Sequence, residues 1–270
     1  MTKKRLIPVF LVFLLFIGCF ENKKADSLFN RGVDLWGKGR YTKALETFEK
    51  FIDLYPNHNS SPEANLWIAD IRYLYLNDYV QSLYDYRNLV KKYPKSEYAP
   101  VAQFKIAKIL FEILSEEHQS ITEYQIFLKL YPDHDLAQKA QYNIAEAHSF
   151  LEDFKQGITE FELFLKKYPN SDMKVHVYQR LGELYCLEKM FSESIDYLNR
   201  ALEICDDDVK RSRVKKSMAD CYASQGDLDR GLSLYEEMLN NDPQNEILKR
   251  RVESLRTQIK ISDSEQRYRW

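Results

Sequence analysis

Glycine and proline are scarce in this chain of 270 residues, with eight of each. The scarcity favours helices, because both residues destabilise a helix interior. A strong basic excess is also missing, since the formal net charge is −2. Proteins that bind nucleic acid carry a basic stripe, so this charge balance gives no reason to expect nucleic acid as a partner.

The motifs of catalysis are missing too. The chain has no glycine-rich phosphate loop and no nucleophile elbow. Its five histidines have no metal-like spacing, and its many carboxylates are scattered over helix faces as a solvated surface requires. We therefore predict that the protein is not an enzyme and that it uses no cofactor, metal or small-molecule substrate.

Cysteine is rare, with four residues. Cys19 follows an apolar N-terminal run, which leaves Cys186, Cys205 and Cys221, an odd number for an oxidising compartment. A bridge between Cys186 and Cys221 is conceivable. The alternative is three buried thiols that pack as small hydrophobic side chains.

The N-terminus has the plan of a secretory signal. Lys3, Lys4 and Arg5 precede an apolar run from residue 6 to 17, which is shorter than the roughly 20 residues that span a membrane. Gly18-Cys19 closes the run and resembles a bacterial lipobox. This resemblance implies a lipoprotein signal peptide over residues 1–18, lipidation at Cys19 and a short tether over residues 19–24. An ordinary signal peptide or an uncleaved anchor are the alternatives.

A short amphipathic segment with an aromatic-proline ending recurs along the chain. It ends at residues 56, 94, 132, 169, 206 and 243, at intervals of 38, 38, 37, 37 and 37 residues. Tyr-Pro closes the first four copies, whereas Asp206 stands where the fifth proline would be. A fixed period of this size predicts a solenoid of helical repeats.

Counting Pro56 as position 32 of a repeat aligns the six copies. Position 20 is small in every copy: Ala44, Ser82, Ser120, Gly157, Ser194 and Gly231. Position 24 is Phe48, Tyr86, Tyr124, Phe161, Leu198 and Tyr235. Position 8 is looser, since Asp70 and Lys108 interrupt otherwise small residues. The small position 20 is expected where two helices cross closely.

This pattern resembles the tetratricopeptide repeat family. The resemblance implies an all-α fold, a right-handed superhelical solenoid of six helix–turn–helix repeats over residues 25–243. Apolar residues at helical spacing after Pro243 predict a capping helix over residues 244–261. Residues 262–270 are polar and are predicted to form a flexible tail.

In this family the first helix of each repeat lines a concave surface, where positions 2, 5, 9, 12 and 13 point inward. The partner-binding residues this implies are Phe29, Val33, Trp36, Trp67, Ile71, Tyr75, Lys105, Arg213 and Lys216. The predicted groove is apolar and aromatic near the N-terminus and charged near the C-terminus. Its aromatic residues are either an exposed binding surface or core residues buried by the curvature of the repeats.

Two segments narrow the resemblance further, YPKSEYAPVAQFKIA from residue 93 and YPNSD from residue 168. With the lipobox, they resemble the BamD family of outer-membrane assembly lipoproteins, although that family has five repeats. The resemblance implies a lipid-anchored scaffold on the periplasmic face of the outer membrane. Its partners would be proteins, namely a barrel insertase and unfolded outer-membrane proteins. The alternative is an adaptor of another envelope machine, in Tol-Pal and cell division, peptidoglycan, secretion or motility.

Overall fold

The computed structural model describes the backbone of residues 9–267 and the side chains of residues 21–265. Within these residues the fold is all-α, as predicted, and contains no strand. The helices are α1 (Val9–Gly37), α2 (Tyr41–Leu54), α3 (Ser61–Ile71), α4 (Tyr79–Lys92), α5 (Tyr98–Glu112), α6 (Glu117–Leu130), α7 (Ala137–Phe150), α8 (Phe154–Lys167), α9 (Lys174–Leu187), α10 (Phe191–Ile204), α11 (Asp208–Gln225), α12 (Leu228–Asn241) and α13 (Glu246–Arg267). A π-helical segment, Arg72–Leu76, continues α3.

The chain divides into two compact units, residues 1–134 and residues 135–270. Each unit holds three of the six predicted helix–turn–helix repeats, and the second also carries α13. Odd-numbered helices up to α11 are the first helix of a repeat, and even-numbered helices are the second. Neighbouring helices within each unit pack against each other in chain order.

Every turn between the two helices of a repeat contains one residue in the left-handed region, always at position 15. These residues are Gly39 (φ 70°), Asn77 (55°), Ser115 (53°), Glu152 (58°), Lys189 (60°) and Gly226 (92°). Two of the six turns use glycine, which adopts this conformation without strain. At three turns an aspartate follows and caps the second helix, accepting a hydrogen bond from a backbone N–H three residues on; these are Asp78, Asp153 and Asp227.

All six second helices end directly before the recurring end of the repeat, as the sequence period predicts. Proline stops the helix because it cannot donate the helical hydrogen bond. The tyrosine of the motif also has a role in the loop. Tyr93 Oη donates a hydrogen bond of 2.9 Å to the carbonyl of Pro56, one period earlier in the chain.

The small residue at position 20 lies against the backbone of the first helix. Ser120 Oγ donates to the carbonyl of Ala107 at 2.9 Å, and Ser194 Oγ donates to that of Gly182 at 2.7 Å. A Cβ added at Gly231 would approach the carbonyl oxygen of Ala219 to 3.0 Å. The predicted steric reason for a small residue at this position therefore agrees with the packing.

Two helices extend further than the predicted boundaries. Helix α1 runs without interruption from Val9 to Gly37, so the predicted tether 19–24 is helical. Helix α13 continues to Arg267, so the tail predicted from residue 262 begins as helix. Helix α13 extends this far because residues 244–267 contain neither glycine nor proline to end it. Residues 1–8 of the predicted signal peptide and residues 268–270 of the predicted tail lie outside the described residues.

Candidate partner-binding surfaces

Two of the predicted partner-binding residues belong to the core of the first unit. Phe29 is 9% exposed, and its ring packs 5.7 Å from that of Phe48 and 5.5 Å from that of Phe51. Ile71 is fully buried in the same core cluster. The prediction that Phe29 and Ile71 face a partner is therefore wrong, because apolar residues at these positions close the gap between successive helices.

The tryptophans of the first unit lie at the edge of this core. The Trp36 and Trp67 ring centroids are 4.5 Å apart, and Trp67 stacks on Phe48 at 6.2 Å. Both tryptophans and Val33 are partly buried against the core cluster. One side of each of these three side chains thus packs on the core. The surface that they leave to a partner is smaller than the sequence suggested.

Four exposed apolar side chains of the first unit lie further along repeat 2. Leu74, Leu76, Val80 and Tyr84 are 54%, 39%, 73% and 59% exposed; we call these four residues the repeat-2 patch. Tyr75 borders it at 36% exposure and stacks on Tyr41 with a centroid distance of 3.7 Å. The patch begins in the π-helical segment, whose wider turn changes the direction of the side chains that follow.

Charged side chains fix the π-helical segment in place. Arg72, its first residue, is bonded at 2.5 Å to Glu49 of α2 and also pairs closely with Asp85 of α4. The Arg72 side chain is only 16% exposed, so the pairing with two carboxylates compensates its burial. The segment that carries Leu74 and Leu76 is consequently held to both neighbouring helices.

Lys105, another predicted partner contact, is already occupied within the first unit. Its amino group lies 2.6 Å from Asp70 and 5.6 Å from the centre of the Tyr86 ring. Tyr86 donates its hydroxyl to the same carboxylate. Burial, followed by the charge of Asp70, raises the pKa of Tyr86, so the phenol remains a proton donor. The charge of Lys105 is neutralised internally.

In the second unit, both predicted basic residues, Arg213 and Lys216, are exposed on α11. Lys216 Nζ lies 3.0 Å from Asp220. Burial lowers the pKa of His176 on α9, and the charges of Lys210 and Arg213 lower it further. A neutral imidazole therefore accompanies a positive surface on this part of the unit.

A pocket of about 330 Å³ adjoins Lys216. Its walls are formed by α11, α12 and α13, with the residues Lys216, Asp220, Tyr235, Ile247, Leu248, Arg250, Arg251 and Ser254. Asp220 accepts hydrogen bonds from Tyr235 Oη at 2.6 Å and from Arg251 at 2.9 Å. Ile247 is 76% exposed at the pocket. The lining thus has three basic side chains, one carboxylate and the exposed apolar side chain of Ile247. An acidic peptide with an apolar residue would complement these groups in charge and polarity.

The basic residues of this pocket on α13 were missed by the sequence reasoning. Helix α13 was predicted only as a cap that covers the last repeat. The three consecutive basic residues at 249–251 could have indicated this pocket from the sequence. A capping helix needs an apolar inner face but no cluster of cations.

The cysteines and the metal-ligating side chains among the described residues form no further candidate site. Cys186, Cys205 and Cys221 carry free thiols, and burial raises the pKa of Cys186 to about 12, with a further contribution from its hydrogen bond with Cys221. No group of three metal-ligating side chains converges among the residues that the structure describes. The same residues include no helix long and apolar enough to cross a membrane. The side chain of Cys19 lies outside the described residues, so lipidation there stays a prediction.

Sequence comparison identifies three family matches along the chain. The profile of the YfiO family, described as outer membrane lipoprotein, matches residues 35–127. Two tetratricopeptide repeat profiles match residues 139–171 and 175–208. No curated protein sequence matches the chain significantly.

Solved structures share the fold. A tetratricopeptide repeat protein from Parabacteroides merdae is 18% identical, with 90% of this chain and 88% of that chain covered and a TM-score of 0.62. PilF from Pseudomonas aeruginosa is 14% identical, with 87% and 98% covered and a TM-score of 0.57. PilW, a widely conserved type IV pilus biogenesis factor, is 15% identical, with 83% and 96% covered and a TM-score of 0.57. At these identities the likeness establishes the fold.

Proposed function

We propose that this tetratricopeptide repeat protein, which resembles the outer membrane lipoproteins of the BamD type, is a non-enzymatic scaffold in the assembly of outer-membrane β-barrel proteins. The observation that carries the proposal is the YfiO family match over residues 35–127. That stretch contains the whole of repeat 2 with its exposed apolar patch. Tetratricopeptide repeats bind proteins through such surfaces, so we expect protein partners in the cell envelope.

The repeat-2 patch suits one class of partner. Val80 and Tyr84 are four residues apart and therefore share one face of α4. Strands of outer-membrane barrels alternate apolar and polar residues, so an unfolded strand presents an apolar row along one side. We propose that the patch holds such an extended segment before it enters the barrel.

The second unit is proposed to hold a folded partner. Its pocket between α11 and α13 offers Lys216, Arg250 and Arg251 beside exposed Ile247. We expect a barrel insertase to supply the complementary acidic and apolar residues. Lipidation at Cys19 would anchor the protein to the periplasmic face of the outer membrane, since an acyl chain contributes about 0.8 kcal/mol per buried methylene.

Site-specific photocrosslinking from native membranes tests the proposal. A photoreactive residue replaces Val80 in one variant and Lys216 in another, and a third variant carries it at exposed Thr159 on α8 as a matched control. We expect the variants at Val80 or Lys216, but not at Thr159, to recover a β-barrel insertase or unfolded barrel proteins. Recovery solely of Tol-Pal, cell-wall, secretion or motility components would reject the assembly role in favour of another envelope adaptor.

A further inference from the structure

A second pocket, of about 430 Å³, lies in the first unit between α1 and α2. It is lined by Lys23, Lys24, Ser27, Leu28, Arg31, Lys50, Leu54 and Tyr55. Four of these eight residues are basic, and none is acidic. This composition is unusual for a chain whose formal net charge is −2.

Three of the four basic side chains of this pocket are available to a ligand. Lys23, Arg31 and Lys50 are exposed and have no ion-pair partner among the residues that the structure describes. Asp26, an acid on the same stretch of α1, lies 3.5 Å from His58 and does not line the pocket. An anion could therefore bind without displacing an internal carboxylate.

The pocket also has an apolar part. Leu28 is half-buried, whereas Leu54 is 56% exposed at the end of α2. Ser27 and Tyr55 also line the pocket, and their hydroxyls are further hydrogen-bond donors. A ligand that satisfies all of these groups is an anion attached to an apolar chain.

Two pockets of the second unit contain acidic residues, unlike the pocket between α1 and α2. One of them is the pocket beside Lys216, whose lining includes Asp220. The lining of the other includes Asp227, Asp229 and Asp263 with the single cation Arg230. Acidic and basic groups are mixed in both of these linings, whereas the lining of the pocket between α1 and α2 includes only basic charged residues.

The position of the pocket along α1 indicates where the ligand comes from. Because α1 is continuous from Val9 to Gly37, Lys23 lies about one turn beyond Cys19, and Arg31 lies on the order of 18 Å along the axis. A lipid on Cys19 would thereby hold the pocket within reach of the bilayer surface. This step rests on the proposed anchoring, whereas the chemistry of the pocket does not.

We propose that the pocket between α1 and α2 binds the phosphate headgroup of an anionic phospholipid. Lys23, Arg31 and Lys50 contact the phosphate, and Leu28 and Leu54 contact the apolar end of the lipid. Binding would fix the orientation of the first unit on the membrane, which an acyl anchor alone leaves free to rotate.

Binding of short-chain lipids to the full chain, purified from membranes in neutral detergent, tests the proposal. The probes are dihexanoyl phosphatidylglycerol, dihexanoyl phosphatidylcholine and inorganic phosphate, measured by native mass spectrometry. We expect saturable binding of phosphatidylglycerol in preference to both other probes. The double variant K23Q/R31Q should weaken it about 30-fold, since each basic residue near an anionic surface contributes several-fold.

The matched control is K91Q/K95Q, which removes two exposed lysines elsewhere in the same unit. It should leave the affinity unchanged, and both variants should keep the urea midpoint of the parent. Equal losses in both double variants, or no preference over phosphatidylcholine, would overturn the proposal. Inorganic phosphate that binds as tightly as phosphatidylglycerol would replace the lipid by a free anion and would overturn it as well.

The variant C19S separates this proposal from the proposed anchoring. If C19S leaves the membrane fraction but still binds phosphatidylglycerol, both proposals hold. If C19S stays in the membrane fraction and the K23Q/R31Q effect persists, the anchor is wrong and the pocket is right. Release of C19S without any effect of K23Q/R31Q would reject the pocket alone.

Discussion

In repeat 2 and repeat 5, the two helices of the repeat pack against each other at the same positions but through different contacts. In repeat 5, position 8 is Gly182, and a Cβ there would lie 2.5 Å from Cγ of Leu198 at position 24. In repeat 2, position 8 is Asp70, which accepts a hydrogen bond from Tyr86 at position 24. The helices of repeat 5 approach closely because position 8 has no side chain. Those of repeat 2 are joined by a hydrogen bond between two polar side chains.

The two crossings differ in the residue at position 24. In repeat 5, Leu198 has no polar group, and Gly182 leaves room for it. In repeat 2, the buried hydroxyl of Tyr86 needs an acceptor, and Asp70 at position 8 supplies it. Asp70 also forms an ion pair of 2.6 Å with Lys105 of the next repeat, so this polar contact connects neighbouring repeats as well.

The largest effect is expected where the crossing is tightest. Gly182→Val should lower the free energy of unfolding by about 3 kcal/mol, because a β-branched side chain overpacks against Leu198. Gly37→Val is the matched control, since a Cβ at Gly37 meets nothing within 4 Å. Urea unfolding followed by circular dichroism measures both. Similar losses at the two glycines would show that the crossing does not require the small residue.

A smaller effect is expected for the polar crossing. Asp70→Ala leaves the Tyr86 hydroxyl and the Lys105 ammonium without their acceptor, and both keep little contact with water. We expect a loss of about 2 kcal/mol in the free energy of unfolding. Lys105→Met in the same chain should restore part of this loss, because it removes the unpaired charge.

Asp34→Ala provides the comparison for an exposed pair. Asp34 and Lys38 form an ion pair with side chains 57% and 58% exposed, and such pairs contribute about 0.5 kcal/mol or less. If Asp70→Ala and Asp34→Ala cost the same in urea unfolding, then the polar crossing of repeat 2 contributes no more than a surface pair.

Much of this fold could be predicted from the sequence, because the repeat period and the small position 20 are local properties. The ends of the second helices follow from the recurring Tyr-Pro in the same way. The site was harder to predict. Phe29 and Trp36 share a predicted groove register, yet only the packing of the Phe29 ring on Phe48 and Phe51 reveals that one is core.

The π-helical segment was not predictable for a related reason. Its first residue, Arg72, is held by Glu49 and Asp85, which lie 23 residues earlier and 13 residues later in the chain. A single-sequence pattern contains no information on which distant carboxylates meet one arginine. Leu74 and Leu76 lie in this segment, so their exposure, and with it the repeat-2 patch, became visible only in the structure.

A smaller effect than at Asp70 is expected for Asp220, which repeats the tyrosine–aspartate–cation arrangement in the second unit at position 9. Burial opposes its ionisation, but hydrogen bonds from Tyr235 and Lys216 and the charges of Lys216 and Arg251 outweigh it, and the pKa of Asp220 is lowered. A carboxyl with a lowered folded-state pKa contributes stability above its ordinary pKa and loses that contribution as the pH falls through the folded value.

Asp220→Asn should therefore cost less than about 1 kcal/mol at pH 7, because more than a third of the side chain is exposed and solvent screens the pair. The difference from the parent chain should shrink when the pH is lowered below the ordinary pKa of 3.8. Urea midpoints at pH 7 and in acid measure it, with exposed Asp172→Asn as the control. A difference that grows in acid would mean that burial dominates at Asp220, and that only repeat 2 uses its aspartate as a stabilising acceptor.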